Sequence, residues 1–370
     1  MPYDIIIIGA GISGATLAER YANQAGKRVL LIEKRDHIGG NCYDYLNEDG
    51  ILVPKYGPHF FHTNDEGVWE YVSRFTDWHP YEHRVFSDVQ GKRVPVPVNI
   101  DTVNKLFGLS IKNTAEMEAW LEEEREKIDD PQNSEHSALN RVGKRLYPLM
   151  FKNYTHKQWD MWPAELDASV MDRIPVRTNF DDRYFTDVRQ AMPKAGYTKI
   201  FEKMLKSPLI EVRLSTDFFA IRDELTGFEK MFYTGPIDRF FNYELQEKLQ
   251  YRSLRFEHET LPREYYQEKA QVNYPHEEIS FTRITEPKRA TGQRHEKTTI
   301  IKEYSTWDGE PYYPVPSKRN QDLFKRYQTK AQALEMDGIH FVGRLANYKY
   351  FNMDQAFRNS LDIFTRLTTS

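Results

Sequence analysis

The segment Gly9-Ala-Gly11-Ile-Ser-Gly14, followed nineteen residues later by Glu33, carries the residue types that hold a charged dinucleotide. Glycines at this spacing let the backbone turn tightly and approach a pyrophosphate. A helix opening on the turn offers N–H groups and the positive end of its dipole. A carboxylate at Glu33 can accept from an adenosine ribose hydroxyl. The elements such a site needs surround it. Tyr3-Asp-Ile-Ile-Ile-Ile8 reads as a strand buried on both faces of a parallel sheet. Ala15 to Ala25 predicts a helix stopped at Gly26, and Arg28-Val-Leu-Leu-Ile32 a second strand ending in Glu33. The glycine spacing alone is a weak signal; with strand, helix, strand and terminal acid it predicts an α/β adenine-dinucleotide domain.

After Glu33 comes Lys34-Arg-Asp-His-Ile-Gly39-Gly40-Asn41. This Glu-x5-Gly-Gly extension resembles flavoproteins of the amine-oxidase and glutathione-reductase superfamily, where a second loop closes on the FAD diphosphate. The chain has no second GxGxxG, so no built-in nicotinamide domain is expected, and reducing equivalents would come from outside. FAD is the expected cofactor.

Other chemistry-bearing residues point less far. His59-x-x-His62 has a metal-like spacing, but three residues apart on an extended segment the rings face opposite sides, and no third soft ligand accompanies them. No metal is expected. The single cysteine, Cys42, excludes an intrachain disulfide framework and reads as a small buried thiol. Charge is balanced, 51 basic against 55 acidic residues, which argues against a broad nucleic-acid face. Ile5 to Ala10 is too short to span a bilayer and lacks a basic leader, so a soluble cytoplasmic chain is expected. At 14% aromatic, with 23 tyrosines, the chain has rings to spare for stacking and hydrogen bonding in a site.

At 370 residues two or three domains are expected, at about 150 residues each. The prolines of Val94-Pro-Val-Pro-Val98 indicate edge strands. From Thr102 to Tyr154 the pattern is helical. Asn113-x-x-Glu116 resembles a capping box before Met117, Trp120, Leu121 and Ile128, and a further helix over Leu139 to Met150 bends at Pro148. Residues 155 to 195 are aperiodic and rich in aromatics and arginines, as in a functional loop. Gly196 to Leu205 reads as a helix, and Ile210 to Leu214 and Met231 to Tyr233 as strands. Leu254-x-Phe256 and Thr298 to Ile301 suggest a second, antiparallel sheet. Ile339 to Val342, Gly343 and a helix through Met353, Phe357, Leu361 and Phe364 close the first domain with late chain.

Six ordered motifs then carry a family resemblance: Lys55-Tyr-Gly-Pro-His-Phe-Phe-His-Thr-Asn64, Tyr154-Thr-x-Lys-Gln-Trp159, Arg173-Ile-Pro-Val-Arg177, Tyr233-Thr-Gly-Pro-Ile-Asp238, Glu310-Pro-Tyr-Tyr-Pro314 and Gly343-Arg-Leu-Ala-x-Tyr-Lys-Tyr350. Together they resemble the prokaryotic UDP-galactopyranose mutases. The resemblance implies a Rossmann-like FAD domain with an inserted helical domain and a six-stranded or similar antiparallel sheet. The expected divisions are 1–80, 196–245 and 325–370 for the FAD domain, 100–160 for the helices with a substrate loop at 160–180, and 81–99, 181–195 and 246–324 for the sheet.

It also implies an isomerase that interconverts UDP-galactopyranose and UDP-galactofuranose. In the family, N5 of reduced FAD attacks the anomeric carbon, UDP leaves, the sugar ring opens through a flavin iminium, and the 4-hydroxyl recloses it. By resemblance, Arg177 and Arg283 act on the diphosphate, Tyr313 and Tyr350 bond the same phosphates, Tyr154 stacks on uracil, Trp159 orients the sugar and Asn273 contacts it. Gly9, Gly11, Ser13, Gly14, Glu33, Lys34, Gly40, Asn41, His59, His62, Arg344, Asn352 and Met353 are expected around FAD, with His62 also in a catalytic role. Arg189 stands where family members usually carry a nucleotide-contacting tyrosine, His83 where some have asparagine, and Asn352 where some have aspartate. The segment from Trp162 to Arg177 is expected to move on UDP binding. A homodimer and an external reductant, NAD(P)H or a reductase, are the expected partners. A net-redox flavoprotein such as an amine oxidase rests on the FAD fingerprint alone, and a noncatalytic flavin scaffold is disfavoured by the arginine-rich loop.

Overall fold

The computed structural model describes residues 3–369. A five-stranded parallel sheet has the order Ile210–Arg213, Val29–Ile32, Ile5–Ile8, Lys230–Tyr233, Ile339–Phe341. Its central strands are wholly buried, as continuous isoleucine and leucine runs require when both faces are covered. The helix Ile12–Asn23 opens three residues before Ala15, directly on Gly11, so its first N–H groups face the turn. Gly14 makes that possible: a Cβ there would lie 1.9 Å from the Gly9 carbonyl oxygen. The late helix Met353–Thr368 packs on Ile12–Asn23, with Phe364 edge-on to Tyr21. Residues from both ends of the chain therefore build one layer.

The second sheet has seven strands where about six were expected. Its order is Tyr313–Pro314, Tyr251–Leu261, Thr298–Thr306, Arg283–Thr285, Gln271–Asn273, Val85–Val89, Lys92–Val96. Every pairing is antiparallel except Gln271–Asn273 with Val85–Val89. Those two strands come from distant parts of the chain, so no tight hairpin dictates their direction.

The helices Ile100–Phe107, Thr114–Glu124 and Ser134–Leu146 start on Asn99, Asn113 and Asn133, each accepting from a backbone N–H three residues on. Ile128 lies beyond the end of the second helix at Glu124, and Glu116 reaches back to the N–H of Lys112 rather than that of Asn113. Around Pro148, which has no N–H to give, the chain widens into a π-type turn, Tyr147–Lys152, and continues as the helix Asn153–Trp159. Within the aperiodic stretch, Arg189–Pro193 forms a strand between Phe61–Thr63 and Trp78–Pro80. The sequence pattern gives little sign of the sixteen-residue helix Lys318–Ala333, whose buried apolar stripe is only Leu323, Tyr327 and Ala331. Among the described residues, no helix is long and apolar enough to cross a membrane.

Candidate active site

A cavity of about 680 Å³ lies at the carboxyl ends of the parallel strands and is lined by Gly9, Gly11, Ser13, Glu33, Lys34, Gly40 and Asn41. Gly9 has φ +102°, and a Cβ on it would sit 2.2 Å from the Thr234 hydroxyl. Gly40 presses on Gly11 so closely that its Cβ would lie 2.8 Å from the Gly11 Cα. This bare-backbone cradle, ahead of a helix N-terminus, fits a pyrophosphate. Gly14 serves the cradle from behind, at the contact of helix and strand.

Glu33 is buried. One carboxylate oxygen accepts from Ala10 N (2.8 Å) and the other from Arg35 N (2.9 Å), which fixes its orientation and leaves lone pairs for a ribose. Lys34 is paired with Glu310, and the Asn41 carbonyl accepts from both terminal nitrogens of Arg35. The residues present thus fit an adenine dinucleotide.

His59, Arg344, Asn352 and Met353 line the other wall. Burial pushes His59 down to about 4, with the Arg344 guanidinium adding to the effect, so the ring is neutral. Its Nδ1 sits 3.1 Å from the Gly57 carbonyl, leaving Nε2 as the acceptor.

Arg344 joins this cavity to a second cluster. Its guanidinium lies 5.5 Å from the ring centre of Tyr313 and 5.3 Å from that of Tyr350, and donates to Phe351 O at 2.5 Å. The two tyrosines stack at 5.2 Å and 18°. Arg173 covers Tyr350 at 4.5 Å. Burial works to raise the Tyr350 phenol, but Arg173, Arg344 and Arg283 outweigh it, so it ionises below the ordinary tyrosine value. Its stacking partner Tyr313 is pushed the other way by burial.

Arg283 stands on a row that runs straight across the second sheet: Ser87, Asn273, Arg283, Glu303 and Phe256 are successive partners in register. Partners in register share a face, so the row is one line of side chains. One Glu303 oxygen accepts from Arg283 Nε (2.8 Å) and Nη2 (2.7 Å). Burial opposes the guanidinium charge and Glu303 more than compensates, so Arg283 stays firmly protonated. Asn273 accepts from Gln271 at 2.9 Å. Tyr154, on the helix Asn153–Trp159, lies within the field of Arg283, Glu303, Tyr184 and Arg173, and burial pushes its phenol to about 12. Trp159 is buried among Leu166, Val170 and Val315 beside Tyr313, and its indole N–H has no acceptor among the described residues.

Three expected residues are not brought to this cluster. Arg177 is held by its backbone bond to Val98 O, and its guanidinium turns to Asp181, donating to that carbonyl at 3.0 Å. Arg189 lies opposite Thr63 on the strand pair and makes two bonds of 3.1 Å to Glu66, over the ring of Trp69. His62 bonds Asp187 at 2.9 Å and stacks on Phe185 at 3.6 Å, away from the cavity lining. Conversely, Arg173, Tyr184 and Glu303 belong to the cluster without having been singled out. Arg173 opens the same motif that Arg177 closes, and Tyr184 lies five residues before Arg189, so in each pair it is the earlier residue that lies in the cluster. Nothing in the alternating run around Glu303 marks it as buried.

The fold and first site define a Rossmann-like dinucleotide-binding enzyme; the model of the NAD(P)-binding Rossmann-like domain matches residues 7–75. More narrowly, the family model for UDP-galactopyranose mutase matches residues 149–350, and the chain belongs to that family of isomerases. It is 39% identical over 363 residues to a probable UDP-galactopyranose mutase of Klebsiella pneumoniae, covering 97% of this chain and 93% of the relative. It is equally 39% identical over 367 residues to the dTDP-fucopyranose mutase of Escherichia coli, covering 97% and 96%. A solved structure of reduced UDP-galactopyranose mutase superposes with a TM-score of 0.80 at 18% identity, over 99% of this chain and 96% of that one.

Proposed function

We propose that the chain binds FAD in the glycine-lined cavity and interconverts the pyranose and furanose forms of UDP-galactose in the adjoining cluster. The observation that carries this reading is the convergence of Arg173, Arg283 and Arg344 on the Tyr313–Tyr350 pair, beside the cavity wall. Reduced FAD, when bound, supplies a nucleophilic N5 for the anomeric carbon as the nucleoside diphosphate departs.

The chain's own residues do the rest. Gly9, Gly11 and Gly40 admit the FAD pyrophosphate, and Glu33 takes a ribose hydroxyl. Arg173 and Arg283 present planar forks to the substrate diphosphate and neutralise the charge that grows on it at departure. Tyr313 and Tyr350 donate hydroxyl protons to the same oxygens. Tyr154, protonated at neutral pH, offers its ring to the base, with Tyr184 beside it. Asn273, one step along the row from Arg283, faces a sugar hydroxyl. The neutral His59 keeps positive charge off the wall near the flavin ring. The reductant is external.

The equal identity to a dTDP-fucopyranose mutase supports a second substrate reading, a 6-deoxy sugar on a thymidine diphosphate. The deciding experiment is a chromatographic assay of furanose-to-pyranose conversion with UDP-galactofuranose and dTDP-fucofuranose in parallel, using oxidised and dithionite-reduced holoenzyme. Conversion of the UDP sugar only after reduction is expected. Preference for the dTDP sugar would transfer the reading to the second substrate. No conversion of either by the reduced holoenzyme would remove the mutase reading.

A further inference from the structure

Lys157 sits in the middle of the helix Asn153–Trp159, between Tyr154 and Trp159; it is half-buried, and its ammonium turns to the backbone of another segment. It donates to four backbone carbonyls of one segment: Tyr274, His276 (2.9 Å), Ile279 (2.8 Å) and Phe281 (3.0 Å). That segment joins the strands Gln271–Asn273 and Arg283–Thr285, and so connects Asn273 to Arg283. An ammonium has three protons, so four acceptors enclose it as carbonyl oxygens enclose a bare cation. Burial pushes Lys157 down to about 8, which leaves it charged at neutral pH. Among the described residues no carboxylate contacts the ammonium; Glu278 acts only at longer range.

The arrangement is unusual for its location. A loop of nine residues between two strands has carbonyls that need partners once covered, and water normally supplies them. Here a single cation from another element gathers four of them, and that element is the helix that carries Tyr154. The charge-assisted bonds therefore fix the helix against the hairpin, and with it the relation of the Tyr154 ring to Arg283 and Asn273.

We propose that Lys157 is a positioning residue for the nucleotide-sugar subsite, its ammonium serving as the internal cation that folds the 274–281 segment and sets Tyr154 against Arg283. This rests on the nucleotide-diphosphate reading of the cluster. Lys157 itself touches neither ligand, and it lies outside the dinucleotide cavity, so flavin loading is independent of it.

The test is UDP affinity of flavin-loaded Lys157→Ala, read by titration calorimetry, with kinetics of the reduced enzyme alongside. The expected result is UDP binding at least fivefold weaker than in the parent, KM raised by a similar factor, kcat retained within twofold and unchanged flavin content. Alanine leaves a gap of three carbons and an ammonium, so n-propylammonium is expected to restore at least half the lost affinity. Tetramethylammonium, which has no N–H to donate, is expected to restore none. Affinity within fivefold of the parent overturns the proposal, as does a loss that n-propylammonium leaves untouched. If Lys157→Ala does not accumulate folded, Lys157→Met keeps the stem volume and is judged by the same fivefold limit. Failure of the parent enzyme to bind UDP would instead refute the diphosphate reading beneath it.

Discussion

Removing Arg283 strands Glu303, and the cost follows from the geometry. The Glu303 side chain is 4% accessible and that of Arg283 18%, so solvent screens the pair little. A single carboxylate oxygen takes both guanidinium bonds, at 2.8 and 2.7 Å, and the other partner in range is the Thr282 hydroxyl at 3.5 Å. Truncating one member of a buried pair costs about 3–5 kcal/mol, because the remaining charge keeps its desolvation penalty. Against a total stability of about 5–15 kcal/mol this is a large share. Arg283→Ala is therefore expected to lose roughly 3–5 kcal/mol in urea unfolding of the FAD-loaded protein, and also its UDP affinity. Arg283→Met/Glu303→Leu removes both charges and is expected to regain most of the stability without regaining UDP binding. That split separates the structural from the functional work of one guanidinium. A single variant within about 1 kcal/mol of the parent, or a double variant no more stable than the single, would refute the reasoning.

Arg173→Ala is expected to weaken UDP binding by about 10- to 150-fold, the loss of one charge-assisted bond of roughly 1.5–3 kcal/mol, while Arg177→Ala leaves it within threefold; calorimetric titration decides. Gly14→Ala drives a Cβ into the Gly9 carbonyl and is expected to yield protein depleted of flavin, read from the visible absorption of the purified enzyme. The Tyr313–Tyr350 pair loses its first proton below the usual 10.0, so UDP affinity should fall as pH rises toward that value, when a phenolate begins to face the diphosphate. Tyr350→Phe should flatten the decline, and an unchanged slope would show that the pair lies elsewhere.

What the sequence made legible was local. The glycine turn, its flanking strands and Glu33 are specified by spacing within one stretch of chain, and the fold reproduces them with a shift of a few residues at the helix ends. The late helix from Met353 was equally plain, because its apolar residues recur on one face. Lys318–Ala333 was not, since three buried apolar positions in sixteen give a faint stripe. In the cluster, the choice between Arg173 and Arg177 depends on which backbone N–H binds Val98, a contact with a residue far away in sequence. Tyr184 and Arg189 are likewise sorted by the register of Arg189 opposite Thr63. Glu303 acquires its meaning only by standing opposite Arg283. Pairing across a sheet is a property of the folded chain, and motif order does not encode it.

The parallel sheet that opens with Ile5–Ile8 takes its last strand from Ile339–Phe341, and the cavity takes a wall from Arg344, Asn352 and Met353. During synthesis the dinucleotide cradle is thus made first and has no opposite side until the chain has been extended past Met353. Cofactor capture must wait for that wall. Until then the Lys230–Tyr233 edge stands open, with buried apolar residues Met231, Phe232 and Tyr233 exposed to other nascent chains. Yield of active enzyme should therefore depend on flavin supply and on chaperones while that edge stands open, more than on the intrinsic stability of the finished fold.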